Sequence, residues 1–169
     1  MAADHLQRLG RAETLAWRRV VGSRRRLPFL TYSLREFLEE LAVAAAIVDP
    51  NDPGEGMRRI WRDAASSYVA TPFGHSLLRL FKPNPSRSLS WLAQHRDNFC
   101  NHGAWNFVQR SERYAIMEMR DELIWLEHAH RGGAEGLLVA CGVEGTVEAE
   151  RVGPYDGVMH VRWEAPRWS

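Results

Sequence analysis

The chain has 169 residues, 45% of them hydrophobic, with seven Trp and six Phe, which is material for one core and a single domain over 1–169. A formal net charge of +1 argues against a dedicated nucleic-acid binder. The longest apolar run, Leu41 to Val48, is far too short for a membrane span, and Cys100 and Cys141 lack the spacing of a disulfide or CxxC framework. With no apolar signal region at the N-terminus, a reduced, cytoplasmic protein is expected.

In chain order, Leu6, Leu9, Ala16, Trp17 and Val20 are spaced as one face of a helix from Asp4 to about Val21. Ser33 followed by Glu36 has capping-box spacing and opens a second helix with Leu34, Phe37, Leu38, Leu41, Ala45 and Val48 on one stripe, stopped by the prolines of "DPNDPG". Asp52 and Pro53 start a third helix, whose apolar face is Met57, Ile60, Trp61, Ala64, Ala65 and Tyr68. A short helix is expected from Thr71 to Phe81 and another from Ser86, with Leu89, Leu92, Ala93 and Phe99 inward and a stop at Asn101 to Gly103.

After Gly103 the apolar period changes from 3.6 to 2. Residues 104–121 and 146–164 are predicted to form two hairpins of one antiparallel sheet, turning at "RSER" and "GPYDG". A helix over 134–141, closed by Gly142, lies between them and covers the sheet. Segregated helices and strands define an α+β protein, with N-terminal helices packed on a four-stranded antiparallel sheet in a strand-strand-helix-strand-strand C-terminal half.

Two stretches, "HRDNFCNH" at 95–102 and "LEHAHRGG" at 126–133, bring imidazoles, a thiol and a carboxylate close in sequence. On a helix running through 86–101, His95 and His102 would be about 10.5 Å apart along the axis, at 1.5 Å per residue, so they cannot share an ion. Two residues apart in an extended segment, His128 and His130 share a face, but two ligands do not complete a zinc site. The expectation is no metal and no cofactor, with these histidines at ordinary surface or helix-end positions. Convergence of His102, Glu127, His128 and His130 through a folded-back loop is the arrangement that would change this reading. His75 and His160 have no evident catalytic partner, and Cys141, on a stripe with Leu137 and Leu138, reads as a buried small hydrophobe.

No Walker loop, dinucleotide fingerprint, HExxH or nucleophile elbow is present, so catalysis is not expected. The remaining basic cluster, Arg18, Arg19, Arg24, Arg25 and Arg26, is the candidate contact for an acidic partner or nucleic acid. Trp105, Trp125 and Trp168 are candidate interface residues, and self-association as a homodimer is the simplest use of them. The glycines of "HRGGAEG" precede a helix and read as a loop and helix start.

From about Tyr32 to Trp163, "TYSLREFLEEL", "RRIWRDAASSYVATPFGHSLLRLF", "NFCNHGAWNFV", "RGGAEGLLVACGVEG" and "YDGVMHVRWE" resemble an uncharacterised paralogous family expanded in myxobacteria. The shared features are a Thr-x-x-Gly helix start at Thr71 and Gly74, a Gly-led helix near Gly136 and a last strand ending in Trp163, while residues 1–31 depart from the pattern as an atypical basic segment. The resemblance implies kinship with 4-vinyl-reductase-type sensor domains, TRAPP subunits and haem-based nitric-oxide sensors. It thus implies a noncatalytic sensory or protein-interaction module, often dimeric, that binds a small ligand or a protein partner. Haem is not carried over, because "YSLR" at 32–35 lacks the Tyr-x-Ser-x-Arg spacing of the gas sensors. A metal-dependent enzyme built on the histidine-rich loops is the other alternative.

Overall fold

The computed structural model describes residues 10–21, 32–69, 71, 74, 76, 84–98, 100–124 and 126–165. Its helices are α1 (Arg11–Val21), α2 (Leu34–Val48), α3 (Pro53–Val69), α4 (Pro85–Gln94) and α5 (Arg131–Ala140). Its strands are β1 (Ala104–Ser111), β2 (Tyr114–Arg120), β3 (Gly145–Arg151) and β4 (Gly157–Trp163), forming one antiparallel sheet in the order β1-β2-β4-β3. The fold is α+β with two hairpins in one sheet and a helix between them. No described helix is long and apolar enough to cross a membrane.

Alternation positions the core. Ala115, Met117 and Met119 of β2 and Met159, Val161 and Trp163 of β4 face inward with Val147 of β3, against Leu89 of α4 and Ala134 and Leu138 of α5. A second cluster joins Leu41, Ala44 and Ala45 of α2 to Met57 and Ile60 of α3, with Trp17 and Phe37 packed on it. Between the two clusters, α5 lies almost on the backbone of α3. A Cβ on Gly132 would sit 2.2 Å from the Arg58 carbonyl oxygen, and one on Gly136 would sit 2.4 Å from that of Arg62. The "RGGAEG" glycines therefore serve helix packing, and they lie within α5 rather than in a loop before it.

Several helix starts differ from expectation. Ser33 occupies the N-cap of α2, but its side chain makes no capping bond. Asp52 does cap α3, accepting from the Glu55 N–H at 3.0 Å. Asn84, not Ser86, opens α4 by accepting from the Arg87 N–H at 3.3 Å, with Pro85 in the first turn. The helix predicted over 134–141 begins at Arg131, prolonging a π-helical turn over Leu126–His130. Of the expected helix at 71–81 only Thr71, Gly74 and Ser76 are described, and there the Gly74 N–H donates to Thr71 Oγ1 at 3.1 Å. Residues 4–9 of the first predicted helix lie outside the described residues.

Candidate functional site: a buried charge cluster between the layers

The helix predicted to run through 86–101 ends at Gln94. His95 caps it, and a 3-10 turn over Arg96–Asn98 follows. That break turns Arg96 inward, where it is 4% exposed. Its Nη1 donates to the Cys100 carbonyl at 2.9 Å, curling the loop around the guanidinium. Gly103 closes the loop at φ +82, where an added Cβ would lie 2.8 Å from Arg96 Nη2.

Opposite Arg96 stands Glu122. Past the end of β2, Asp121 takes φ 51 and donates its N–H to Asp156 Oδ1 at 3.1 Å, while the Glu122 N–H donates to the Tyr155 carbonyl at 2.7 Å. These bonds stitch the β2 exit to the β3–β4 turn and leave the Glu122 carboxylate buried. Oε2 accepts from Trp105 Nε1 at 2.8 Å, and Oε1 accepts from the Ile124 N–H at 3.1 Å. His130 Nε2 and the Arg96 guanidinium Nη2 lie 3.4 and 3.7 Å from Oε2, longer than the Trp105 hydrogen bond. Burial raises the carboxyl pKa, but His130, the Trp105 N–H and the Ile124 N–H outweigh it and bring Glu122 to about 2.

His130 bridges the layers. Its ring lies 5.9 Å from that of Trp61 on α3 and 5.1 Å, edge-on, from that of Trp105 on β1. The Arg96 guanidinium sits 5.6 Å from the Trp105 ring centre. Arg96 Nε, His130 Nε2 and Trp61 Nε1 are buried without a hydrogen-bond acceptor. The cluster thus gathers the 3-10 turn, β1, the β2 exit and the π-turn around one carboxylate, and reaches α3 through the His130–Trp61 ring contact.

Chemically this is an electrostatic clamp. A carboxyl ionised down to about pH 2 is a poor proton donor near neutrality, where general acids work best with matched pKa values. The thiol of Cys141 is buried and pushed up by that burial, with Ser88 Oγ 4.0 Å away only partly opposing it.

The other residues singled out by sequence are scattered. His95 stacks on Trp91 at 4.6 Å with its Nδ1 2.9 Å from the Trp91 carbonyl, and His102 is exposed. His128 lies over Gly54, where an added Cβ would be 2.5 Å from its Cε1. His128 and His130 occupy a π-turn, not an extended segment, and His130, at 5% exposure, is no surface position. The partner missing from the reading of His160 is Tyr114, whose hydroxyl is 2.8 Å from Nδ1. Among the described residues no three His, Cys, Asp or Glu are placed to hold a metal. Arg18 and Arg19 are exposed in the last turn of α1, whereas Arg24, Arg25, Arg26 and His75 lie outside the described residues. Trp105 is half-buried in the cluster, and the side chains of Trp125 and Trp168 are not among those described. Sequence reasoning passed over Arg96 and Glu122. Arg96 stood inside the quoted stretch "HRDNFCNH", and Glu122 lay one residue past the first predicted hairpin.

Comparison with known proteins places the fold. The chain is similar to the Fe(II) unliganded H-NOX protein from K. algicida, at TM-score 0.74 and 11% identity, covering 99% of this chain and 95% of that one. It is also similar to an oxygen-binding H-NOX domain related to soluble guanylate cyclases, at TM-score 0.71 and 12% identity, with 99% and 94% covered. A third is a mutant of T. tengcongensis H-NOX, at TM-score 0.69 and 12% identity, with 99% and 96% covered. At these identities the likeness is one of fold. No curated protein matches the chain in sequence. Residues 4–164 match one family along almost the whole chain, and the protein belongs to that family, described as "Protein of unknown function (DUF2378)".

Proposed function

We propose that the protein is a noncatalytic sensory or protein-interaction module, in which binding of a partner or small ligand at its surface is relayed between the helical layer and the sheet through the Glu122 cluster. The observation that carries this reading is His130, held between Trp61 of α3 and Trp105 of β1 with its Nε2 3.4 Å from the Glu122 carboxylate. Moving either layer disturbs a buried ion cluster, and such clusters hold discrete arrangements rather than deforming smoothly. The sensor-domain fold supports the same reading, as does the resemblance to the TRAPP and 4-vinyl-reductase groups, which adds dimerisation as an expectation.

One structural relative is described as oxygen-binding, and the description of another concerns haem distortion in the H-NOX family. Of the described histidines, His130 is enclosed by two indoles, His95 and His160 are bonded through Nδ1 to the Trp91 carbonyl and the Tyr114 hydroxyl, and His102 is exposed.

A second reading, an acidic partner held by the Arg18 to Arg26 segment, is favoured by the exposure of Arg18 and Arg19 side by side at the end of α1.

Hydrogen exchange on the intact chain tests the relay. Glu122→Gln should accelerate exchange together in 121–130 and in α3, which belong to different layers. Acceleration confined to 121–124 would show a local packing role and defeat the proposal.

A further inference from the structure

The two edges of the sheet are finished differently. β3, at one edge, carries Glu148, Glu150 and Arg151, and its inward Val147 is only 4% exposed. β1, at the other, runs from Ala104 to Gln109 without a charged residue, and its only strand partner among the described residues is β2. Its one charge, Arg110, sits at the register shift between Gln109 and Ser111. Charged side chains guard an open edge because pairing with a further strand would desolvate them or set like charges together. β1 lacks that guard along its regular part.

Burial also stops short at β1. In the row Val147–Val161–Ala115–Gln109 the first three side chains are buried and Gln109 is exposed, and in the next row Met159 and Met117 are buried while Phe107 is half-buried. An open groove of about 520 Å³ lies there, with Phe107 and Gln109 on one side and Trp91 and Ser90 of α4 on the other. The hydrogen-bonding phase of the strand follows from one contact. The Trp163 N–H donates to the Arg113 carbonyl at 3.1 Å, so by antiparallel alternation the odd-numbered residues of β2 bond to β4. Even-numbered ones bond to Ala104, Asn106 and Val108, which leaves the N–H and carbonyl groups of Trp105, Phe107 and Gln109 on the open edge.

We infer that β1 pairs antiparallel with β1 of a second copy of this chain, about a twofold axis at Phe107, joining the two sheets into one. In that register Phe107 opposes Phe107 of the copy, Trp105 opposes Gln109 and Asn106 opposes Val108, so the open-edge backbone groups of both chains bond to each other and no charge meets a like charge. The two Phe107 rings come together on the inward side, where the cover over the sheet is incomplete. A second copy is the occupant because the edge is complementary to itself, and a twofold contact uses up both unguarded edges and closes at two chains. Pairing β1 with β3 of another copy would leave open ends and grow, and Glu148, Glu150 and Arg151 guard the sheet against it. The inference deepens the dimerisation expected under the proposed function, and it rests on that reading.

The test uses the intact chain. Sedimentation equilibrium should show a reversible monomer–dimer transition, and in the dimer the amides of Trp105, Phe107 and Gln109 should exchange at least about tenfold more slowly than in dilute protein. The double variant Asn106→Lys, Val108→Lys sets lysine opposite lysine on both sides of the axis and should raise the dissociation constant at least about tenfold. Thr146→Lys with Glu150→Lys, on the β3 edge, should leave it unchanged. Melting curves separate loss of pairing from loss of fold, and the exchange measurement needs no variant. A strict monomer at high concentration, a dimer in which those three amides gain no protection, or equal weakening by the β3 variant would each overturn the assignment. The Glu122 relay is read within one chain, including the monomeric lysine variant, so failure of the pairing leaves the relay standing and failure of the relay leaves the pairing.

Discussion

Trp105 and Glu122 are joined by a 2.8 Å hydrogen bond from the indole N–H to Oε2, tying the start of β1 to the residue just beyond the end of β2. Trp105→Phe keeps the ring against His130 but removes the donor. A buried carboxylate that loses one partner costs about 1–3 kcal/mol, so urea denaturation should show a loss of that size. Glu122→Ala should cost more, about 3 kcal/mol or above, because it strands Arg96 as a buried charge.

Acid should act on the same carboxylate. Glu122 has its pKa lowered from 4.5 to about 2 in the folded protein, with Arg96, His130 and Trp105 facing it. Between those values the unfolded chain binds the extra proton, so this stabilisation is complete above about pH 4.5 and disappears as pH falls toward 2. Denaturation midpoints measured from pH 6 to pH 2.5 should fall steeply in the wild type and less steeply in Glu122→Gln. Parallel curves would show that another group governs acid sensitivity.

The packing of α5 on α3 separates three neighbouring glycines. Gly132→Ala and Gly136→Ala each place a methyl group against a carbonyl oxygen and should destabilise by roughly 1–3 kcal/mol. Gly133→Ala meets only the Trp61 ring, at 3.7 Å, and should be neutral or stabilising by up to about 1 kcal/mol through helix propensity. Thermal melts of the three variants check the order.

How much was legible in the sequence follows from range. The strands were readable because Ala115, Met117 and Met119 alternate with Ile116 and Glu118 within a few residues, and Asp52 was readable because a cap acts three residues away. Ser33 carries the same local signal as Asp52 yet makes no capping bond. The Glu122 cluster was not readable, since Arg96, Trp105, Glu122 and His130 meet only after the sheet forms. His130 was misplaced because a π-turn, which alters the side-chain phase, stands where an extended segment was expected.

The two histidines of that turn should therefore behave differently. His130→Ala removes a buried ring packed between two indoles and should cost about 2 kcal/mol or more, whereas His128→Ala should stay within about 0.5 kcal/mol. Equal effects in chemical denaturation would contradict the layering.

Purified protein should carry no stoichiometric zinc or iron. Elemental analysis finding about one metal per chain, lost on replacing His128 and His130 together, would restore the metalloenzyme alternative.

The strand order β1-β2-β4-β3 places β4, the last of the described strands in chain order, at the middle of the sheet, paired to β2 on one side and β3 on the other. Until β4 has been synthesised, β2 has only β1 beside it, and Met117 and Met119 lack the inward-facing Met159, Val161 and Trp163. The sheet therefore closes late and all at once, by contacts distant in sequence, which is a slow topology with a bare, methionine-lined edge in every shorter nascent chain. Chains stalled before Gly157 should need chaperone protection that the finished protein does not.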